Sequence, residues 1–345
     1  MNATTSLGYL VNQTSDDSIS SAITSVNHDD FPAGEVLIRV THSSLNYKDA
    51  LAAKGHRGVI RSLPHIPGID SVGQVVASKS PAWEVGDEVL VTGYGLGSER
   101  WGGWCEHIRV PADWVVRRPP ELSAVEAMTL GTAGFTAAQS VSSLQLHGIV
   151  PDKGPIVVTG ASGGVGSLAV AILAKIGYQV TAVTGTAAAH DMLRELGAAE
   201  ILDRADVSDD SGKPLLDTKW AGAVDTVGGN TLATIVRSMQ HRGCVTACGL
   251  VGGHELALTV YPFLLRGITL DGIDSAACPM PTRLDIWKYL NSAWKPDKLD
   301  SLRSEISLYE LDDYVIRMLA GETTGRIVVN LGTNSSRMLE DSSDG

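Results

Sequence analysis

The sequence Val158-Thr-Gly-Ala-Ser-Gly-Gly-Val-Gly-Ser167 decides the fold of this chain. It follows an apolar run typical of a buried strand and opens a segment of small apolar residues, 167–176, that favours a helix. Gly177 then stands where a helix C-terminal cap is expected. The β-branched run at 179–184 is typical of a second strand. A strand, a glycine-rich turn, a helix and a strand in this order predict a βαβ unit of a parallel sheet.

The glycines of this loop are spaced as a dinucleotide site requires. The first two let the backbone turn sharply and approach a pyrophosphate, and the last two let the helix pack close to the strand. Free N–H groups at the helix start would then face the phosphates. The spacing is A-x-G-x-x-G, with alanine in the first glycine position, and a purely structural turn is the alternative. The candidate cofactor residues of the loop are Gly160, Ser162, Gly163, Gly164, Val165 and Gly166.

The end of the second strand indicates which dinucleotide is bound. A site for NAD usually places Asp or Glu there to hold the ribose 2′-hydroxyl. This strand ends Val183-Thr184-Gly185-Thr186, with no carboxylate. The threonine hydroxyls can donate hydrogen bonds, and Arg204, just after the third predicted strand, can supply a positive charge. The sequence therefore predicts NADPH, and Arg204 as an ordinary surface arginine is the alternative.

The rest of the chain divides by its pattern. Before about Glu121, short runs with alternating apolar residues, such as Glu35–Val40, are separated by glycine and proline, which predicts a small barrel or sandwich. The following region alternates helical stretches with short apolar runs, which predicts a parallel sheet. From about Ser304 the pattern indicates a helix, a glycine turn and a terminal strand. The polar, acidic residues 333–345 are predicted to be disordered.

Length and composition limit the class of protein. With 345 residues the chain is long enough for two domains, and its net charge of −12 makes nucleic acid and anionic membranes poor partners. No apolar stretch reaches the ~18 residues of a membrane span. The first residues lack the basic and apolar regions of a signal peptide, so we expect a cytoplasmic protein. Four cysteines in so long a chain do not form a disulfide framework, and we expect reduced, mostly buried thiols.

A set of further motifs identifies the family that the chain resembles. They are Ser43-Ser-Leu-Asn46-Tyr47-Lys48-Asp49, Pro67-Gly68-Ile69-Asp70, Gly102-Gly103, Gly131-Thr-Ala-Gly134-Phe-Thr136, Val224-Asp225-Thr-Val-Gly228, Gly249-Leu-Val-Gly-Gly253 and Gly325-Arg326. With these motifs and the glycine loop, the chain resembles the medium-chain dehydrogenase/reductase superfamily. Within it, the chain is similar to the zinc-free branch of acryloyl-CoA reductases and quinone oxidoreductase-like proteins. The resemblance covers nearly everything from about residue 31 to residue 331.

The resemblance implies an α/β fold with two domains. A GroES-like, β-rich catalytic domain would comprise residues 1–127 and 299–345, and an inserted Rossmann domain with a doubly wound parallel sheet would comprise 128–298. It also implies a homodimer joined through the Rossmann domains. In close relatives an arginine usually stands where this chain has Thr186, and its loss leaves more of the 2′-phosphate contact to Arg204. The residues implied at the nicotinamide end are Thr136, Gly249, Leu250 and Ser275.

Two positions argue against a metal. Zinc-dependent relatives carry a cysteine in the loop that here reads Leu45-Asn46-Tyr47, and Gly-His-Glu where this chain has Gly68-Ile69-Asp70. A catalytic zinc needs about three N, S or carboxylate ligands, and Ile69 cannot ligate. We therefore expect no metal. Reduction of an activated carbon–carbon double bond fits this expectation, because hydrogen-bond donors can hold the enolate charge that collects on the carbonyl oxygen.

The resemblance also places Asn46, Tyr47 and Asp49 beside the nicotinamide. Asn46 can offer an amide N–H, and Tyr47 a hydroxyl that donates or relays a proton. Asp49 would orient either of them or pair with Arg326. The alternative is a turn motif, in which Asn and Asp bond their own backbone. Arg326 would either reach the cleft as a charged donor or brace the domain.

A local excess of positive charge suggests the substrate. The stretch Lys54–His65 carries three fixed positive charges and no acidic residue, and we expect Arg57 and Arg61 to receive the phosphates of a CoA tail. A solvated basic loop is the alternative. Acryloyl-CoA is the leading substrate, and a quinone or small enone is the first rival. A protein that binds NADPH without turnover is the second rival.

Overall fold

The computed structural model describes residues 4–16 and 18–332, which form fifteen strands and eight α-helices. The tail predicted to be disordered, 333–345, lies outside the described residues. The strands are β1 (Thr5–Gln13), β2 (Ile19–Asn27), β3 (Val36–Leu45), β4 (Asp70–Ser78), β5 (Glu88–Thr92), β6 (His107–Val110), β7 (Val116–Arg117), β8 (Ile156–Val158), β9 (Val180–Val183), β10 (Glu200–Leu202), β11 (Trp220–Asp225), β12 (Met239–Ala247), β13 (Thr269–Gly272), β14 (Arg303–Ser307) and β15 (Arg326–Asn330). The helices are α1 (Tyr47–Ala53), α2 (Ala124–Leu146), α3 (Gly164–Lys175), α4 (His190–Glu195), α5 (Gly229–Arg237), α6 (Tyr261–Arg266), α7 (Met280–Leu290) and α8 (Leu311–Leu319).

The chain forms two compact units. The first comprises the residues up to Thr132, Ala276–Leu284 and the residues from Arg303 onwards. The second comprises Ala133–Ser275 and Asp285–Leu302. Each unit has its own large sheet and its own cluster of buried apolar side chains. The second unit is therefore inserted into the first along the sequence.

The first unit is built on a seven-stranded sheet with the order β14-β15-β3-β4-β5-β7, and β6 also pairs with β3. The alternation predicted for Glu35–Val40, which lies mostly in β3, is confirmed. Val36, Ile38 and Val40 are buried, whereas Arg39 is exposed. The terminal strand β15 lies antiparallel to β3, with Ile327 opposite Leu45. This register brings the start of β15 next to the loop that follows β3.

An N-terminal hairpin, β1 and β2, was not evident from the sequence. Its strands pair antiparallel from end to end and form a separate two-stranded sheet. Backbone hydrogen bonds from Tyr9 and Val11 attach it to the segments around Trp104 and His65. The buried residues of β1 include Ser6 and Gly8, which are small or polar, so the apolar alternation that marks a strand is interrupted.

The second unit is built on a six-stranded parallel sheet with the order β10-β9-β8-β11-β12-β13. The predicted βαβ unit is confirmed as β8, α3 and β9. Strands β8 and β11 are buried along their whole length, as in parallel sheets covered on both faces. The strand order reverses between them, and the carboxyl ends of strands at such a point are where open α/β sheets bind ligands.

Helix α2 is broken at Gly131. The backbone there has φ 48° and ψ −151°, so α2 consists of two helical segments. A side chain at this position would place its Cβ 2.5 Å from Asp70 Oδ2. The break therefore depends on glycine, both for its positive φ and for the approach of the Asp70 carboxylate.

Two sequence-based expectations concern thiols and membranes. All four cysteines lie in the described part of the chain and form no disulfide, and Cys105, Cys244 and Cys278 are buried, as predicted. Within residues 4–16 and 18–332, no helix combines the length and the apolar character that crossing a bilayer demands.

Candidate active site

A polar network in the first unit joins the loop after β3 to strands β4 and β15. Asn46 is the N-cap residue of α1. Asp49 and Asp70 are completely buried, and the Arg326 side chain is 3% exposed. Three of the four predicted catalytic residues, Asn46, Asp49 and Arg326, thus meet in one buried cluster.

The side-chain amide of Asn46 is fully engaged inside this network. Its nitrogen donates to Asp49 Oδ2 at 3.0 Å and to Asp70 Oδ2 at 2.9 Å, while its oxygen accepts from Arg326 Nη1 at 3.0 Å. The opposite amide orientation would place the oxygen against two carboxylates and the NH₂ group against a guanidinium. The surroundings therefore fix the orientation and use both amide N–H groups, so none is left to offer to a substrate.

Asp49 holds the backbone around the start of α1. Its Oδ1 accepts the N–H groups of Gly68 and Ile69 at 3.1 and 2.8 Å, and its Oδ2 accepts the N–H of Asn46 at 2.9 Å. This is the turn motif weighed as the alternative to a catalytic role. Arg326 does not form a hydrogen bond with Asp49. Its hydrogen bonds go to Asn46 and to the carbonyl oxygens of Thr129 and Met128, and its Nη2 lies 4.0 Å from Asp70 Oδ2.

Burial shapes the electrostatics of this cluster. Desolvation first, and then the charge of Asp70, raise the pKa of Asp49 to about 7, while hydrogen bonds from Asn46 and Ile69 lower it. Desolvation also lowers the pKa of Arg326, and the two carboxylates oppose that effect. An arginine stays charged in either case. Two buried carboxylates therefore interact electrostatically with one buried guanidinium.

Asp70 also belongs to this cluster, although it was not predicted as a site residue from the sequence. Its carboxylate accepts hydrogen bonds from the Thr132 N–H at 2.9 Å and the Thr132 hydroxyl at 2.6 Å, as well as from Ser44 and Asn46. The sequence carried a signal, the Pro67–Asp70 motif, but that motif was interpreted only for its lack of metal ligands.

Tyr47 differs from its neighbours in exposure. It is the first residue of α1, and its side chain is 46% exposed. No group among the described residues forms a hydrogen bond with its hydroxyl. Of the four predicted catalytic residues, Tyr47 is therefore the one whose polar atom is free to meet a substrate.

The glycine loop of the second unit has the shape of a phosphate cradle. Gly160 has φ 58°, and a Cβ at Gly166 would lie only 2.3 Å from the Gly160 carbonyl oxygen. Gly163 is the N-cap residue of α3, so the free N–H groups of the first helical turn point out of the loop. These residues fit the pyrophosphate of a dinucleotide.

The end of β9 carries the residues predicted to select the cofactor. The Thr184 hydroxyl is buried, donates to Ser162 Oγ at 2.9 Å and accepts the N–H of Thr186 at 3.1 Å. It therefore shapes the loop. Arg204 crosses the chain here, because a Cβ built at Gly185 would lie 2.5 Å from Arg204 Nε. The structure thus places a guanidinium at the end of β9, although the sequence puts it after β10.

The residues implied at the nicotinamide end also come together in part. The Thr136 hydroxyl donates to Ser275 Oγ at 2.7 Å, across a separation of 139 positions in the sequence. Gly249 packs against the Thr226 carbonyl oxygen, which would lie 2.0 Å from an added Cβ. Leu250 is 66% exposed.

Both parts of the chain match known families. Residues 32–120 match the family described as "Alcohol dehydrogenase GroES-like domain", and residues 164–285 match that described as "Zinc-binding dehydrogenase". The chain is 46% identical over 316 residues to "Putative quinone oxidoreductase YhfP" of Bacillus subtilis, which covers 91% of this chain and 96% of the relative. It is 43% identical over 310 residues to "Acrylyl-CoA reductase AcuI" of Ruegeria pomeroyi, with 90% and 94% covered. The chain belongs to the medium-chain dehydrogenase/reductase superfamily.

Solved structures of relatives share the fold of this medium-chain reductase. The Salmonella enterica yhdH oxidoreductase in complex with NADP has a TM-score of 0.91 and 43% identity, covering 94% of this chain and 99% of that one. Bacillus subtilis yhfP with NAD bound has a TM-score of 0.92 and 44% identity, covering 95% and 100%. The predicted fold, a GroES-like part and a Rossmann parallel sheet, is confirmed. The first of these relatives holds the dinucleotide predicted for this chain, and the second holds NAD.

The metal ligands of zinc-dependent relatives are not reproduced in this medium-chain reductase. Among the described residues, no group of three or more His, Cys, Asp or Glu side chains is arranged to hold a metal ion. Ile69 stands where zinc-dependent relatives carry a histidine, and its side chain is buried. The residues present do not fit a catalytic zinc.

The basic stretch of the reductase is less uniformly positive than its sequence indicates. Arg57 and Arg61 are both exposed. Arg61 forms an ion pair with Glu99, which comes from a distant part of the sequence. Arg57 has no carboxylate partner among residues 4–16 and 18–332. Of the two predicted phosphate ligands, Arg57 is therefore the one without an ion pair among the described residues.

Proposed function

We propose that this chain reduces an activated carbon–carbon double bond with NADPH and without zinc, and that acryloyl-CoA, reduced to propanoyl-CoA, is its leading substrate. The observation that carries the proposal is the 43% identity over 310 residues with the acrylyl-CoA reductase of Ruegeria pomeroyi. The exposed Tyr47 hydroxyl supports it, because the reaction needs a donor at the substrate carbonyl, and residues 4–16 and 18–332 contain no metal site to replace it.

NADPH would bind in the crevice at the carboxyl ends of the strands of the Rossmann sheet, and two parts of the chain would hold it. The glycine loop would bind the pyrophosphate, and Arg204 would bind the 2′-phosphate. When bound, the nicotinamide supplies a hydride to the β-carbon of the substrate. The proposed cofactor residues are Thr136, Gly160, Ser162, Gly163, Gly164, Val165, Gly166, Thr184, Gly185, Thr186, Arg204, Gly249, Leu250 and Ser275.

Tyr47 would act on the substrate directly. Its hydroxyl would donate a hydrogen bond to the thioester carbonyl oxygen as negative charge develops there, and then deliver a proton to the α-carbon. Solvent would return the proton to the phenolate, since the side chain is 46% exposed. Asn46, Asp49 and Arg326 would hold the first turn of α1 in place. We thus propose an orienting role for these three residues.

Replacement of Tyr47 by phenylalanine tests this role. We expect kcat for acryloyl-CoA to fall by about 10²-fold, because a positioned acid contributes about that much. The KM for NADPH should stay unchanged. Tyr309→Phe is the matched control, since Tyr309 is 47% exposed elsewhere in the first unit. Wild-type kcat in Tyr47→Phe would remove Tyr47 from the mechanism.

Replacement of Arg57 tests the CoA site. Because Arg57 is uncommitted and Arg61 is paired with Glu99, we expect Arg57→Ala to raise the KM for acryloyl-CoA several-fold and Arg61→Ala to raise it less. The KM for a small enone without a CoA tail should not change in either variant. Equal effects on the ester and the enone would contradict phosphate binding by this stretch.

The function itself is tested by NADPH consumption. Purified protein treated with a chelator is mixed in parallel with acryloyl-CoA, crotonyl-CoA and a benzoquinone, with NADH as the control. Fast turnover of acryloyl-CoA that is indifferent to the chelator is the expected result. Turnover of the quinone alone would favour the second candidate, an NADPH:quinone oxidoreductase, which the 46% identity to YhfP supports. NADPH binding without turnover of any acceptor would favour a non-catalytic role.

We also propose the domain limits and the oligomer. Residues 1–127 and 299–345 would form the catalytic domain, and 128–298 the Rossmann domain. A homodimer joined through the Rossmann domains is supported by β13, which lies at the edge of the parallel sheet with one side unpaired. Leu264 and Leu265 on the preceding helix α6 are 75% and 58% exposed. Sedimentation equilibrium would test the dimer.

A further inference from the structure

One carboxylate in the polar network has no part in the proposed chemistry. Asp70 is completely buried at the start of β4. It accepts four hydrogen bonds, from the Ser44 hydroxyl, the Asn46 amide, the Thr132 N–H and the Thr132 hydroxyl. These donors come from three separate places in the sequence, the end of β3, the N-cap of α1 and the break in α2.

We propose that Asp70 is a positioning residue of the reductase. Its carboxylate fixes the amide of Asn46 and, through it, the first turn of α1 that carries Tyr47. The part of this inference that concerns turnover rests on the function proposed above. The part that concerns the fixed turn rests on the hydrogen bonds alone.

The number of donors requires a carboxylate at this position. A carboxylate has about four lone-pair sites, and the four donors around Asp70 use all of them. An asparagine at the same position would have one acceptor oxygen, and its NH₂ group would face groups that also donate. At least one buried donor would then lose its partner, at the desolvation cost of that group.

The amide of Asn46 depends on this acceptor in particular. Its two N–H groups point to Asp49 and Asp70, and its oxygen accepts from Arg326. With Asp70 made neutral, one N–H loses a charged acceptor, and the preference for one amide orientation weakens. Asn46 caps α1, so its reorientation reaches Tyr47, the next residue along the chain.

The break in α2 supports the same conclusion. At Gly131 the helix opens so that the N–H and hydroxyl of Thr132 both reach the Asp70 carboxylate. An added Cβ at Gly131 would lie 2.5 Å from Asp70 Oδ2 and 3.1 Å from Arg326 Nη2. The backbone is thus shaped around this carboxylate and its neighbouring guanidinium.

Steady-state kinetics of Asp70→Asn test the inference, with Ser71→Ala as the matched control. Ser71 is the next residue on β4, is buried, and its hydroxyl has no hydrogen-bond partner within the described residues. We expect Asp70→Asn to lower kcat by about 10²-fold, the effect of misplacing a reacting group by about 1 Å. The KM for NADPH should stay unchanged.

Hydrogen exchange separates this inference from the proposed function. We expect the backbone N–H groups of residues 46–50 and of Thr132 to exchange faster in Asp70→Asn than in Ser71→Ala. A wild-type protein that reduces none of the acceptors refutes the function, and the exchange result then decides the positioning role. An unchanged kcat or unchanged exchange in Asp70→Asn overturns the inference.

A second variant covers the case in which Asp70→Asn does not fold. Thr132→Val, which removes one donor, should lower kcat several-fold, and an unchanged kcat there overturns the inference too.

Discussion

Replacement of Arg204 by alanine should lower kcat/KM for NADPH by about 10- to 100-fold and leave kcat/KM for NADH almost unchanged. A hydrogen bond to a charged group contributes about 1.5–3 kcal/mol, and about 1.4 kcal/mol corresponds to a factor of ten. NADH lacks the 2′-phosphate, so it does not lose this contact. Kinetics with both cofactors at a saturating acceptor concentration measure the difference.

The structure explains why Arg204 is available for this contact. Its guanidinium lies over Gly185 at the end of β9, in space that any larger side chain at position 185 would fill. The neighbouring carboxylates bond the backbone of their own turn, since Asp203 accepts the Ala205 N–H and Asp206 accepts the Asp203 N–H, and neither forms an ion pair with Arg204. Among the described residues, Arg204 therefore has no anionic partner to displace before it binds a phosphate.

Two variants control for the loss of positive charge alone. Arg194→Ala removes an exposed arginine from α4 that pairs with Asp191, and it should change neither cofactor constant. Arg204→Lys keeps the charge and should retain part of the preference for NADPH. An equal loss with NADH and NADPH would show that Arg204 supports the fold of the loop. The result also decides whether the chain behaves as its relative solved with NADP or as the one solved with NAD.

Replacement of Arg326 by methionine should lower the free energy of unfolding by about 3–5 kcal/mol, which is the usual effect of removing one partner from a buried ion pair. The guanidinium is 3% exposed, and its charge interacts with those of two carboxylates, Asp70 and Asp49, that have no exposure at all. Without it, Asp49 and Asp70 remain as like charges in a buried cluster. Denaturant unfolding of both proteins at one pH measures the difference.

The loss should depend on pH in a predictable direction. The native pKa of Asp49, about 7, lies above its ordinary value of 3.8. The native state therefore binds the proton of Asp49 more tightly than the unfolded state does. The contribution of this protonation to stability is fully present below about pH 4 and is lost as the pH rises through about 7. Removal of the guanidinium raises this pKa further. Arg326→Met should accordingly be more destabilised at pH 8 than at pH 5, where one carboxylate can be protonated.

A second arginine in the same sheet provides the control. Arg39 is exposed on β3, and its side chain donates to Gln74. Arg39→Met should change the free energy of unfolding by less than about 0.5 kcal/mol at either pH. A similar small effect in Arg326→Met, or a deficit that grows as the pH falls, would mean that the buried guanidinium does not compensate the two carboxylates.

The sequence alone determined the elements whose signals are local. The glycine loop predicted β8, α3 and β9, since a strand, a turn and a helix each follow from residues a few positions apart. Arg204 was identified because the end of a strand has a known place in a parallel sheet. The N-terminal hairpin was not predicted, because the buried residues Ser6 and Gly8 interrupt the apolar alternation.

Only the tertiary structure decided what the polar residues do. The sequence predicted that the Asn46 amide would bind the substrate. In the structure its two N–H groups donate to Asp49 and Asp70, and its oxygen accepts from Arg326, 280 positions away. The sequence also indicated a free cation at Arg61, whereas Glu99 pairs with it. Hydrogen bonds and ion pairs form between groups that folding brings together, and spacing along the chain does not record which partner each group will find. The sequence therefore determined the family and the cradle, and the fold determined which side chains remain free to act.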